Sequence, residues 1–253
     1  MTAYMKKEAM GYIRTGRLVI LGLVFMFFGI LAPATAKLTP WLMEQLADEM
    51  ERSGFTVREV TVTALSSWEQ FFSNLSMALI VFVLIVGGTF AAEYKSGAFV
   101  FAVTRGLSRE KIVLAKVLML AGMWTLLYAL CTGITHFYTV YYWGSDDVEN
   151  LFFAETIPWL FGLWLICLFL LVATAFTSGS GALGGTAIAV FVIYLAGMVP
   201  KVSEYLPTRL LSGMPLLTCE RGPADYMASV IVTLVTGALL LAGAVLIFRK
   251  KQL

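Results

Sequence analysis

Few residues in this chain have the types and spacing for covalent or nucleotide chemistry. They are His136, the run Ser178-Gly179-Ser180-Gly181, the cysteines Cys131, Cys167 and Cys219, and the glycines between 179 and 185. A serine hydrolase of the intramembrane kind needs a serine in a glycine-rich turn facing a histidine within hydrogen-bond reach. A nucleotide phosphate loop needs Lys followed by Ser or Thr after its last glycine, and here Gly185 is followed by Thr186 and Ala187. Leu211-Ser212-Gly213 is only a fragment of an ATPase signature. Two cysteines lie in apolar runs and the third stands alone in a polar one, so neither a disulfide framework nor metal-ligand spacing is present. The expectation is a chain with no catalytic residues, no metal and no cofactor of its own.

The elements that would position these groups are membrane helices. Apolar residues make up 59% of the 253 residues and charged residues 13%, against about 45–50% and about 25% in an ordinary soluble domain. A helix needs about 20 apolar residues to cross the hydrocarbon layer. Six segments approach this, at 18–36, 71–92, 112–142, 156–177, 182–199 and 227–248. They are continuous apolar runs without the period-two alternation of barrel strands. The expected fold is all-α, a six-transmembrane-helix bundle forming one domain over 1–253. The net charge of +2 is too small to point to nucleic acid. The first seventeen residues mix Lys6, Lys7, Glu8, Arg14 and Arg17 with apolar residues, so no cleavable signal is expected.

Charge orients the bundle. With both ends cytoplasmic, inside segments carry twelve basic residues and outside segments six, while acidic residues divide three against thirteen. Lys and Arg accumulate in short cytoplasmic loops. This orientation places the 178–181 turn inside and His136 near the outside, about 30 Å of hydrocarbon apart, so that serine and histidine cannot meet. His136 then reads as a hydrogen-bonded structural residue in an aromatic belt with Tyr138, Tyr141 and Tyr142. The six spans show no ionisable group at mid-depth, which argues against a proton or cation relay. Gly181 and Gly185 form a small-xxx-small pair suited to close helix packing.

The connecting segments carry their own patterns. Residues 1–17 place Tyr4, Met5, Ala9, Met10, Tyr12 and Ile13 between charges, as in an amphipathic helix lying in the membrane surface; a plain basic anchor is the alternative. In the outer segment 37–70, Thr39-Pro40 reads as the start of a separate amphipathic helix and Gly54 as its stop, followed by a short extended stretch from Phe55 to Thr63. The outer segment 200–226 holds Pro200, Pro207, Pro215 and Pro223 among apolar residues. It reads as short helices dipping back against the bundle, or as an ordered loop.

Between the second and third spans lies a polar island, 93–111 with Lys116 just beyond. It holds Lys95, Arg105, Arg109, Lys111 and Lys116 against Glu93 and Glu110. Phe99, Phe101, Val103 and Leu107 give it an apolar face, and Ser108 stands where it would cap the third span, with Glu110 in the first turn. Alternatively these charges only set topology and meet lipid headgroups.

Glu93, Gly97, Ser108, Arg109 and Lys116 follow the order and spacing of the corresponding region in ABC-2 type transporter permeases, which this chain resembles. Gly106 stands where that family usually has proline. The resemblance extends to length, six spans, an amphipathic first helix, internal termini and a broken segment before the last span. It implies an ABC-2 (type II exporter-like) permease fold in a bacterial-type cell membrane. It also implies a second permease copy, as homodimer or heterodimer, and two ABC ATPase subunits carrying Mg-ATP. The segment with Glu93, Lys95, Gly97, Phe101, Arg105, Ser108 and Arg109 would couple to those ATPases. Polar positions Asn74, Ser76 and Thr89 would lie on the path of a hydrophobic or amphipathic cargo, such as a peptide or drug. A membrane scaffold or sensor without transport is the other class the sequence allows.

Overall fold

The computed structural model describes residues 2–52, 61–104, 106, 108–144, 148–176 and 178–250. Within them the regular structure is helical, in the order α1 (Thr2–Arg14), α2 (Arg17–Arg52), α3 (Ala64–Lys95), α4 (Ala98–Thr104), α5 (Arg109–Trp143), α6 (Leu151–Ala175) and α7 (Gly179–Ala196). Two single turns, α8 (Pro200–Ser203) and α9 (Met214–Leu217), flank a 3-10 turn at Pro207–Leu211, and α10 (Pro223–Lys250) completes the chain. Six of these helices, α2, α3, α5, α6, α7 and α10, are long and apolar enough to cross a membrane.

Two expectations need correction. Thr39-Pro40 does not start a new helix, because α2 runs unbroken from Arg17 to Arg52 with Pro33 and Pro40 inside it. The Thr39 hydroxyl donates back to the Thr35 carbonyl at 2.8 Å instead of capping a forward turn. Gly54 and the extended segment from Phe55 lie outside the described residues up to position 60, and 61–63 are non-helical. Ser108 does occupy the N-cap of α5, with extended backbone at φ −66° and ψ 144°, but its hydroxyl makes no capping bond. Ser178 is the residue that caps, accepting from the Gly181 amide at 3.1 Å at the start of α7.

Proline in α2 has a tertiary consequence. Pro33 has no N–H to give the carbonyl four residues back, that of Gly29, and a bare carbonyl in hydrocarbon is expensive. The Thr135 hydroxyl of α5 lies 3.1 Å from that oxygen and equally 3.1 Å from the Cys131 carbonyl of its own helix, so its hydrogen is shared between them. The helices come this close because residue 29 is glycine: a Cβ there would lie 2.8 Å from the Cys131 carbonyl oxygen. Deeper in the bundle Trp124 is fully buried, edge-on to Phe25 and Phe82 at 5.9 and 5.5 Å between ring centroids. Its indole donates to the Trp159 carbonyl at 3.0 Å. The same economy of small residues appears where Gly185 of α7 meets α6, since a Cβ there would stand 2.7 Å from Val172.

The 200–226 stretch folds as short helices against the bundle. Each of its three turns opens on or next to proline, at positions where the missing N–H has no helical partner to lose. Leu210, Leu216 and Leu217 are buried. Tyr226 of α10 donates to the Ser212 carbonyl at 2.8 Å, and Ser229 to that of Glu204 at 2.6 Å.

Thr135→Val keeps the shape of the side chain and removes the donor to Gly29. It should lower stability by about 0.5–2 kcal/mol, seen as a drop in the thermal midpoint in detergent; an unchanged midpoint would mean that the Pro33 gap is filled some other way.

Candidate functional site

The polar island folds between two left-handed glycines. Gly97, at φ 66°, ends α3, and Gly106, at φ 84°, ends α4 with its amide bonded to the Val103 carbonyl at 2.9 Å. Both are conformations that glycine reaches without a Cβ penalty. Proline, locked near −65°, could not stand at 106, so this turn differs in kind from the one the ABC-2 resemblance implies. Between the glycines, Phe99 is buried edge-on against Phe248 of α10, with 5.6 Å between ring centroids. Phe101, two residues on, keeps 66% of its surface exposed.

At the base of the island Lys116 of α5 is enclosed with two carboxylates. Its ammonium donates to Glu8 of α1 at 3.1 Å and pairs with Glu93 of α3. The side chains of Lys116 and Glu8 keep 7% exposure each and Glu93 keeps 16%. Phe99 lies under the ammonium, 5.4 Å from ring centroid to nitrogen, and Tyr4 and Tyr12 of α1 are buried on either side of Glu8. A space of about 10 Å³ beside Glu8, Tyr12, Lys116 and Met119 is water-sized at most. Three helices and both margins of the island therefore meet at one charge cluster.

One ammonium cannot neutralise two carboxylates. Burial holds the Glu93 carboxyl above the usual carboxylate range; the neighbouring Glu8 adds to that rise and Lys116 opposes it. Burial and the same two carboxylates push the Tyr4 phenol up as well.

The remaining island residues divide. Arg109 donates to the Arg249 carbonyl at 3.0 Å, and Glu110 faces the Arg249 guanidinium at 3.6 Å, which ties the end of α10 to the start of α5. The backbone of Lys95 closes α3, but its side chain, like the whole of Arg105 and Leu107, lies outside what the structure describes. Of the path residues Asn74, Ser76 and Thr89, the side chains of Asn74 and Ser76 are described. Ser76 faces an apolar groove of about 460 Å³ with Leu79, Phe161, Leu183, Thr186 and Phe191. Asn74 is absent from its lining, its amide nitrogen shielded and without a partner among the described residues. The Thr89 side chain lies outside the described residues.

Glu8 was not singled out in the sequence as a partner of the island. The available signal is the spacing Tyr4, Glu8, Tyr12, four residues apart and hence on one helical face. His136 stands edge-on to Trp68, 6.1 Å between ring centroids, and its Nδ1 faces Glu155 Oε1 at 3.6 Å.

Lys116→Met would strand two buried carboxylates and should cost about 3–5 kcal/mol, with the loss largely recovered in Lys116→Met/Glu8→Gln/Glu93→Gln; failure of the triple change to recover stability would assign Lys116 a role beyond charge balance. A carboxyl whose folded pKa is raised binds its proton more tightly in the folded state. Its contribution is therefore full below the unfolded value of about 4.3 and is lost as pH rises through the folded one. Glu93→Gln should flatten the fall in thermal midpoint as pH rises above about 4, and an unchanged slope would show that Glu93 does not carry it.

The family model described as "Protein of unknown function (DUF2705)" matches residues 46–253, a range that takes in the island, Lys116 and the segment between α7 and α10. The chain is also similar to the "Uncharacterized transmembrane protein YxlG" of Bacillus subtilis (strain 168), 25% identical over 236 residues that cover 89% of this chain and 88% of that protein. Six apolar helices and a transmembrane relative aligned along nearly the whole length agree on a multi-pass membrane protein. With the family model covering most of its length, the chain belongs to the DUF2705 family.

Proposed function

We propose that this protein is the membrane-spanning subunit of an ATP-driven exporter, of the ABC-2 permease kind, with both termini in the cytoplasm. Energy would come from a separate pair of ATPase subunits carrying Mg-ATP, acting on two permease copies, and the cargo would be hydrophobic or amphipathic. The observation that carries this reading is the island itself. Its base is clamped by Lys116 to Glu8 and Glu93, while Phe101 stands exposed on α4. An exposed aromatic on a short helix, in a basic stretch of sequence whose base joins three helices, suits the capture of a partner and the passage of its motion into the bundle.

Several features support the reading. The order Glu93, Gly97, Ser108, Arg109, Lys116 matches the ABC-2 pattern, and Glu93 and Lys116 of that pattern are in contact. The positive-inside count favours a cytoplasmic island, and α1, with Tyr4, Glu8 and Tyr12 buried on one face, suits an interfacial helix docked on the bundle. The apolar groove at Ser76 offers a surface of the right character for an apolar cargo.

The test is co-purification with an ATPase encoded beside this chain, followed by ATPase and transport assays in vesicles. Phe101→Asp, at a position too exposed to disturb the core, should weaken association at least about tenfold with an unchanged thermal midpoint. Arg109→Ala should uncouple hydrolysis from transport. Normal association and transport in both variants would remove the island from the coupling role, and a chain that binds no ATPase would leave a membrane scaffold or sensor as its class.

A further inference from the structure

At the end of the bundle away from the Lys116 cluster, a second carboxylate sits in an environment that the exporter reading does not use. Glu155 lies four residues into α6, and its side chain keeps 21% exposure. Of its two carboxylate oxygens, Oε2 is not shielded, while Oε1 is shielded and is the one turned to His136. His136 of α5 faces it at 3.6 Å and is 47% exposed, an ion pair only when the imidazole is protonated. Beside them runs a groove of about 450 Å³ between α5 and α6, lined by Tyr128, Thr132, His136, Glu155, Thr156 and Trp159 and floored by Ala129 and Gly133. That volume lies within the range of small-molecule sites, about 300–1,000 Å³.

The donors around this groove are already engaged with the protein. Thr132 donates to the Tyr128 carbonyl at 2.9 Å, Thr156 to that of Phe152 at 2.7 Å, and the Trp159 indole to the Thr125 hydroxyl at 3.0 Å. The Tyr128 hydroxyl donates to the Glu155 backbone carbonyl at 2.6 Å. What the groove still offers is acceptors and aromatic faces: a carboxylate, two threonine oxygens, Trp159, and Phe152 at the rim with 84% of its surface exposed. No lysine or arginine is among its described lining residues. A carboxylate among ring faces is the complement of an ammonium group.

Depth selects the kind of molecule. At 1.5 Å per residue, Glu155 lies about 6 Å and His136 about 10 Å from the ends of their helices, the level where lipid headgroups give way to hydrocarbon. Leu126 and Phe137, exposed on α5, provide apolar surface for a chain running along the helix. His136 is the lining side chain that can become cationic, so the charges of a zwitterionic head can be met in turn, ammonium by Glu155 and phosphate by His136. A primary ammonium can donate to the unshielded oxygen, Oε2, and a trimethylammonium cannot.

We propose that the α5/α6 groove is a binding site for a phosphatidylethanolamine-type lipid, its primary ammonium on Glu155 and its phosphate on His136. The test is native mass spectrometry of the purified full chain, in parallel with thermal shift, on adding dioleoylphosphatidylethanolamine, dioleoylphosphatidylcholine or dioleoylphosphatidylglycerol. Wild-type protein should retain the ethanolamine lipid roughly tenfold better than the choline lipid, the scale of one charge-assisted hydrogen bond. Glu155→Gln should abolish that preference. Gly133→Leu provides a second variant, at a position where a Cβ meets nothing within 4 Å; with its thermal midpoint unchanged, it should fill the groove and lower retention of every lipid there. Equal retention of the ethanolamine and choline lipids, or a preference that survives both variants, would overturn the proposal. So would ethanolamine alone competing as well as the whole lipid, which would make the site one for a soluble amine. None of these outcomes depends on transport or on an ATPase.

Discussion

Lys116 is a cation withdrawn from water at the junction of three helices, and much of one end of the molecule is arranged to meet its charge. A buried ammonium without partners would be untenable at this depth, so α1 must bring Glu8 and α3 must bring Glu93. Phe99 then closes the site from below, which fixes α4, and Phe248 against Phe99 fixes the end of α10. Glu93 and Lys116 stand on either side of the island, so their contact closes it into a loop with a rigid base. Burial, with the neighbouring Glu8 adding to it and Lys116 opposing it, raises the proton affinity of Glu93 and makes the arrangement sensitive to protonation.

The second constraint is that hydrocarbon supplies no hydrogen bonds. Two of the backbone irregularities among the described residues are answered by another part of the protein. Pro33 leaves the Gly29 carbonyl without a helical donor and Thr135 of α5 supplies one. The proline-rich stretch between α7 and α10 breaks into single turns packed on the bundle, with Tyr226 and Ser229 donating to its carbonyls. Buried hydroxyls are paired in the same way, as in Ser67 with Thr139 at 2.7 Å.

The two ends of the bundle therefore differ in character. One is a clamp in which charges are paired and an aromatic is held outward at Phe101. The other carries an open groove whose donors are spent and whose carboxylate is not. The coupling role proposed for the first and the lipid-binding role proposed for the second rest on this difference in chemistry. The sequence motif alone did not separate them.

The amino-acid sequence by itself determined the class, the six spans and their alternation, because hydrocarbon demands long uninterrupted apolar runs and lets little else substitute. It also marked the island, since charge is rare enough in this chain for its positions to stand out. Helix ends were less legible: Pro40 looked like a start because proline is at home in a first turn, yet the chain around it had enough neighbouring helix to carry it within α2. Only the tertiary structure decided which charges meet. Glu8 lies more than a hundred residues from Lys116 along the chain, and no local spacing encodes a contact made by the docking of α1. The same holds for His136 and Glu155, whose neighbours come from two helices. Span patterns are written locally because the membrane acts on each helix alone, whereas the partners of a buried charge are chosen by how the helices pack together.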